Sequence, residues 1–327
     1  MTLKAELHVH LEGTATPELV RSLATRHGMT LPPDLFTAQG DFAWNGFLHF
    51  LKVYDAAAAV IRTDRDYRDV TYDYLRRCAA EGAVYVEVMS SPDHAAQAGL
   101  SFQGHLDGIV QGIEDAQADF GIEARLIVTC VRHFGVERGL EVANACTRHR
   151  HPLLTGFGMG GDENHLPSSA FTRVFAIARH DAGLACTVHA GEAAGPESIR
   201  DALDSLPVRR IGHGVRAIED PALTSRIADE GIVLEVCPTS NIRTAVYTDY
   251  AAHPLNRLRA AGCAVTLNSD DPPYFATSIG HEYDVAKQHF GWSDSDLLTA
   301  TATSIDAAFI DAETRARLAA RLKTTAP

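Results

Sequence analysis

The chain has 327 residues, 46% of them hydrophobic and 22% charged, averages that exclude a disordered or fibrous protein and leave room for a large core. Its 29 basic and 42 acidic side chains give a formal charge of −13, and with no basic run this charge repels nucleic-acid backbones and anionic membranes. No apolar run approaches the roughly 18 residues of a membrane span, and Met1–His10 reads as a first strand rather than a secretory signal, so the expectation is a cytosolic protein without nucleic-acid or membrane partners.

Eight short runs rich in Val, Ile and Leu follow one another along the chain. In order they are Ala5–His10, Ala83–Ser90, Ala124–Val131, Leu153–Met159, Ala185–Ala190, Arg209–His213, Ile232–Cys237 and Ala264–Asn268. Amphipathic helical stretches lie between them, such as Thr63–Glu81 stopped by Gly82 and Pro221–Glu230 stopped by Gly231. Alternation of strand and helix implies a parallel sheet, and eight units close a barrel. The fold class is therefore α/β, a single (β/α)8 TIM barrel over 1–327 with a helical insertion after strand 1. That insertion, within 11–82, carries the apolar stretch Phe42–Val53. It either roofs the mouth of the barrel or packs an extra helix through Trp44, Phe47 and Phe50. The six cysteines lack a C-x-x-C pair and read as reduced, structural residues.

Chemically versatile residues collect at the C-terminal ends of strands 1, 5, 6 and 8: His8, His10, His189, Glu192, His213, Asp270 and Asp271. In a barrel this end is the active-site face. His8 and His10 are two apart on a strand, so both side chains can enter the mouth and share a metal, with His189 and Asp270 completing a nitrogen-and-oxygen site suited to zinc. Taken singly, each feature also has a plainer reading. A lone H-x-H is weak, as His149–His151 in a basic helix end illustrates; His213 alone suits a hydrogen-bonded core position, and Asp270 with Asp271 suits a helix cap. Their convergence on one face favours a site. A two-metal barrel hydrolase usually bridges its ions with a carboxylated lysine after strand 4, but the lysines are Lys4, Lys52, Lys287 and Lys323, none near Gly156–Glu163. One metal is expected, with an acidic bridge from Asp162 or Glu163 as the alternative.

The strings ELHVHLEGT (Glu6–Thr14), TVHAGE (Thr187–Glu192), RIGHG (Arg210–Gly214), CPTSN (Cys237–Asn241) and TLNSDDP (Thr266–Pro272) resemble the adenosine and adenine deaminase family of the amidohydrolase superfamily, in the family's order and over essentially the whole chain. The resemblance implies a barrel holding one zinc ion (Zn2+) per chain that hydrolyses the 6-amino group of a purine. It makes His8, His10, His189 and Asp270 the zinc ligands, and Glu192 the proton donor to purine N1. His213 would orient or deprotonate the water, so that Glu192, His213 and Asp270 form the catalytic set. Asp271 would bond N7, Gly161 would offer its N–H to N3, and Glu12 would face the sugar or the space where one would be. The chemistry has its own logic: zinc lowers the pKa of bound water toward about 7, and C6 of a purine is a poor electrophile until N1 is protonated, which asks for a buried carboxylic acid.

The substrate expected is a small molecule, a 6-aminopurine or its nucleoside. Gly160–Glu163 (GGDE) and CPTSN resemble the adenosine branch, whereas Glu12 and Ser269–Phe275 (SDDPPYF) lean toward the adenine branch. Adenosine to inosine plus ammonia is the leading expectation, with adenine to hypoxanthine or a modified or extended adenosine as alternatives. A nucleic-acid editing deaminase would carry H-x-E with P-C-x-x-C and a cationic groove, which this sequence lacks. A phosphotriesterase-like or dihydroorotase-like hydrolase is disfavoured by the missing strand-4 lysine, and a non-catalytic zinc-binding protein on the same fold by the presence of both Glu192 and His213. Oligomeric state is left open.

Overall fold

A computed structural model describes residues 2–325. Eight parallel strands, β1 (Lys4–His10), β2 (Ala83–Ser90), β3 (Glu123–Val131), β4 (Leu154–Gly160), β5 (Ala185–Ala190), β6 (Arg210–His213), β7 (Val233–Val236) and β8 (Ala264–Leu267), lie side by side in chain order with helices between them. Each end falls within one residue of the run marked in the sequence. All eight residues of β2 and all nine of β3 are buried, as expected of parallel strands covered on both faces.

The ring closes through the segment just after β8. The side-chain Oδ1 of Asn268 accepts the Leu7 N–H at 2.8 Å. Beyond it, Asp270 N–H donates to the His8 carbonyl at 3.2 Å and His10 N–H donates to the Asp270 carbonyl at 2.9 Å. The backbone that seals the barrel thus inserts Asp270 between His8 and His10. Asp270 takes φ +65° to do so, a conformation non-glycine residues adopt at a cost and mostly where function requires it.

The barrel axis carries charge as well as apolar side chains. Arg210, 1% exposed, pairs with Glu87 and Glu235 at 2.6 Å each and lies 3.6 Å above the Phe309 ring. Buried charges survive only when paired this way.

Between β1 and β2 the chain forms three helices, α1 (Pro17–Arg26), α2 (Phe47–Ala58) and α3 (Asp64–Ala80). Thr63 and Asp66 cap α3 reciprocally, as the threonine and early acid in the sequence require. The aromatic stretch runs from Phe42 into α2. Trp44 and Phe50 pack edge-on to each other and against Phe275, while Phe47, Phe50, Leu51 and Tyr54 line the mouth of the barrel. All six cysteines are free and buried. Among the described residues no helix is long and apolar enough to cross a membrane.

Candidate active site

At the C-terminal ends of the strands a cleft of about 700 Å³ opens between β1, β4, β5 and the α2 wall. His10, Glu12, Gly161, His189, Glu192, His213, Asp270 and Asp271 all border it.

His8, His10, His189 and Asp270 offer ligand atoms that all lie within 4.8 Å of one another. Two of the rings are oriented from behind. Glu235 accepts from Nδ1 of His8 at 2.9 Å, and the Met159 carbonyl accepts from Nδ1 of His189 at 2.9 Å. Both Nε2 atoms therefore face the centre. Nε2 of His189 stands 3.0 Å from Nε2 of His10, and Oδ1 of Asp270 lies 3.3 Å from His10 Nε2 and 3.4 Å from His8 Nε2. His8 Nε2 is buried without a hydrogen-bond partner.

The electrostatics favour positive charge at this point. Burial alone would lower the His8 pKa, but Asp270 and Glu235 overturn that and raise it to about 10. Burial and the neighbouring histidines hold His189 well below its ordinary value. Burial would raise Asp270, yet the neighbouring His10, His8 and His213 hold it well below the usual carboxylate range. A neutral His189, an ionised Asp270 and a His8 position that favours positive charge suit a metal cation taking the place of a proton. A second grouping, His8, His213, Cys237 and Asp270, is equally compact. Burial, however, keeps the Cys237 thiol well above its ordinary pKa, and Nδ1 of His213 is engaged by Asn241.

Glu192 sits on the loop after β5, its carboxyl buried. Burial, then the charges of Asp270 and Glu163, push its pKa well above the carboxylate range and favour its protonated form. His213 ends β6 with φ +58°. Its Nε2 lies 3.6 Å from Glu192 and 3.9 Å from Asp270, and burial lowers its pKa to about 3. Asp271 is raised well above its ordinary value by burial and by Asp270. Its Oδ1 has no protein partner and lies 1.8 Å from where a Cβ on Gly13 would be, so only glycine fits there. Gly161 has φ +95°. Glu12, 2% exposed, accepts from the Ser90 hydroxyl at 2.6 Å, the Ser91 N–H at 3.2 Å, and the Tyr67 and Tyr54 hydroxyls at 3.5 and 3.4 Å.

His10, Glu12, Gly161, His189, Glu192, His213, Asp270 and Asp271 thus border one cleft, and His8 lies with His10, His189 and Asp270 beneath it. Neither Asp162 nor Glu163, the two acids considered as a bridge, belongs to the groups whose ligand atoms converge. Glu163 stands apart from the ligand cluster and accepts the N–H groups of Gly191, Glu192 and Ala194 and the Ser198 hydroxyl. Sequence reasoning missed Glu235 behind His8 and Ser240, which donates to Asp270 Oδ2 at 2.6 Å. An acid in the middle of the apolar run IVLEVC, and the serine of CPTSN, were the available signals.

The family model described as adenosine deaminase matches residues 3–325. A protein named adenine deaminase from Chelativorans sp. (strain BNC1) is 51% identical over 323 residues, covering 99% of this chain and 98% of its own. A crystal structure of adenine deaminase from Arthrobacter aurescens superposes with a TM-score of 0.91 at 33% identity, over 99% of both chains. A zinc-bound amidohydrolase from Burkhoderia ambifaria superposes at 0.89 and 29% identity, over 98% of this chain and 90% of that one. The barrel and its cleft are thus those of a hydrolase of C–N bonds acting on 6-aminopurines, and the chain belongs to the adenosine deaminase family.

Proposed function

We propose that the protein hydrolyses adenine to hypoxanthine and ammonia, using one zinc ion per chain held by His8, His10, His189 and Asp270. When bound, zinc supplies a Lewis acid that makes water nucleophilic at neutral pH. Glu192, protonated by its burial, donates to N1 and makes C6 electrophilic. Asp271, also kept protonated, offers a hydrogen bond to N7, and the Gly161 N–H serves N3. Ser240 holds Oδ2 of Asp270 and leaves Oδ1 toward the histidines. Water oxygen adds to C6, and the C–N bond to the amino group then breaks. The proton Glu192 gives stays on N1 of hypoxanthine; of the two protons of the consumed water, one leaves on ammonia and the other restores Glu192.

The observation that carries adenine over adenosine is Glu12. Its Oε1 accepts from Ser90, Ser91 and Tyr67 and its Oε2 from Tyr54 of α2 at 3.4 Å, so the carboxylate is held against the end of β2 and walls that end of the cleft where a ribose would lie. Ser90 is itself oriented by Nε2 of His105 at 2.7 Å, a ring that burial keeps neutral with a pKa of about 3. The relative at 51% identity named adenine deaminase supports the same choice. The expectation of adenosine rested on GGDE and CPTSN, and neither Glu163 nor Thr239 lines the cleft. Glu163 clamps a loop, and Thr239 bonds Tyr250 and Glu282 behind the site. Those residues report on support and not on substrate.

Ammonia release from zinc-loaded protein given adenine or adenosine at equal concentration tests the reading. It predicts a higher kcat/KM for adenine by at least about 100-fold, roughly what about 3 kcal/mol of lost binding or steric cost would produce. Equal or faster turnover of adenosine overturns it.

A further inference from the structure

Behind His213 runs a hydrogen-bond chain whose direction is fixed from its far end. The backbone N–H of Leu255 donates to Nδ1 of His253 at 3.2 Å. Nδ1 therefore carries the lone pair, and the proton of the neutral ring sits on Nε2. That Nε2 lies 3.1 Å from Oδ1 of Asn241, to which it donates. The other end of the amide, Nδ2, then donates to Nδ1 of His213 at 3.2 Å. Turning Asn241 round would set its NH2 against the N–H of His253, a buried donor–donor clash. His253, Asn241 and His213 are 4%, 0% and 1% exposed, and a proton on Nδ1 of either ring would face the Leu255 N–H or the Asn241 NH2, donor against donor. A main-chain N–H, which cannot change its role, thus dictates each link in turn.

We infer that His253 and Asn241 are positioning residues that lock His213 in the tautomer with its proton on Nε2, so that His213 faces the reacting centre as a hydrogen-bond donor and not as a base. Its Nε2 is 3.6 Å from Glu192 and 3.9 Å from Asp270, beyond hydrogen-bond reach of both. The proton is left pointing into the cleft. There it holds the attacking oxygen by a lone pair and stabilises the charge that develops as the oxygen adds to C6. It accepts no proton, because Nε2 already bears one and Nδ1 is taken. The catalytic part of this inference rests on the deaminase reading above; the tautomer itself does not.

Long-range 1H–15N correlation spectra of the zinc-loaded protein labelled on histidine nitrogen read the tautomer directly, with the His213 signals identified by their loss in His213→Gln. The wild type is expected to show the Nε2–H pattern at pH 7. In Asn241→Asp the carboxylate still accepts from His253 but also accepts from His213, so the His213 pattern should reverse to Nδ1–H. Turnover of adenine should then fall on the order of 100-fold or more with KM within about threefold, as a wrong tautomer costs other enzymes that orient histidine. His253→Gln, which keeps a donor for Asn241, should retain the wild-type His213 pattern and kcat within about tenfold. A wild-type His213 with its proton on Nδ1, or an imidazolium, overturns the inference whatever the substrate. Unchanged kcat in a reversed Asn241→Asp removes the catalytic part. Faster turnover of adenosine by the wild type would instead count against the substrate reading alone.

Discussion

The carboxylate of Glu163 accepts the backbone N–H of Glu192 at 3.1 Å, and with it those of Gly191 at 2.5 Å and Ala194 at 2.8 Å. Clustered N–H groups converging on one anion make a nest, here used to fix the loop that carries the proton donor. The same negative charge helps keep Glu192 protonated. In Glu163→Gln the new NH2 faces N–H groups that need an acceptor, so the loop should loosen. We expect kcat to fall about tenfold and stability to fall about 2 kcal/mol, with zinc content unchanged. Steady-state kinetics beside metal analysis and denaturant unfolding would check this.

Glu12 determines how the far end of the cleft is closed. Glu12→Asp draws the carboxylate back by one methylene, away from Ser90, Ser91 and the two tyrosines. A freed acceptor and added space should lower kcat/KM for adenine about tenfold and raise that for adenosine, since one methylene in a pocket is worth roughly 1–3 kcal/mol. Parallel kinetics with both compounds measure the change in their ratio, which should move toward adenosine by about 100-fold.

Glu235 reaches three partners from the middle of β7. It accepts from His8 at 2.9 Å and from Thr187 at 3.0 Å, and pairs with Arg210 at 2.6 Å. Its own pKa is held below the ordinary value although burial would raise it, because Arg210 and His8 outweigh burial. Glu235→Gln removes the charge behind a candidate metal ligand, and such changes typically weaken metal binding about 10–100-fold. Competition against a chromophoric chelator should show that loss. A buried Arg210 left with Glu87 alone should also lower the unfolding midpoint.

Glu282, on the helix Ile279–Phe290, is fully buried and accepts from the Thr239 N–H at 3.2 Å and from the Thr277 hydroxyl. Burial raises its pKa to about 7 despite those bonds. An acid whose folded pKa exceeds its unfolded one binds more protons when folded. The folded state therefore loses stability as pH rises from the unfolded value toward 7, and the loss persists above it. Glu282→Gln escapes that loss. Its stability relative to wild type should thus improve by up to about 3 kcal/mol between pH 5 and pH 8. Denaturant melts at the two pH values would reveal the difference, and a gap independent of pH would contradict the assignment.

The strands and the cluster were legible because their signals are local. Val, Ile and Leu runs bounded by glycine mark buried parallel strands, and reactive side chains at their C-terminal ends fall on one face once the barrel closes. What stayed illegible depends on who stands behind whom. Glu163 lies 29 residues from Glu192, and Asn241 bonds His213 across 28 residues. Nothing in either neighbourhood names the partner. The charged residues Glu87, Arg210 and Glu235 interrupt apolar strand runs, a pattern that alternation would place on a solvent face. They instead neutralise one another along the barrel axis. GGDE and CPTSN, which carried the expectation of adenosine, are divided in the same way: Gly160 and Gly161 border the cleft, whereas Glu163 and Thr239 stand in the layer behind it.

Hydrolysis at C6 requires a protonated Glu192 beside the cluster of His8, His10, His189 and Asp270. The most direct test is turnover of adenine by zinc-loaded Glu192→Gln, with metal content and adenine binding measured on the same sample. A loss of about 10²–10⁴-fold in kcat is predicted, the usual worth of a positioned acid, with zinc still bound and adenine still held. Near wild-type turnover with zinc in place would show that N1 is not protonated by this residue and would contradict the mechanism.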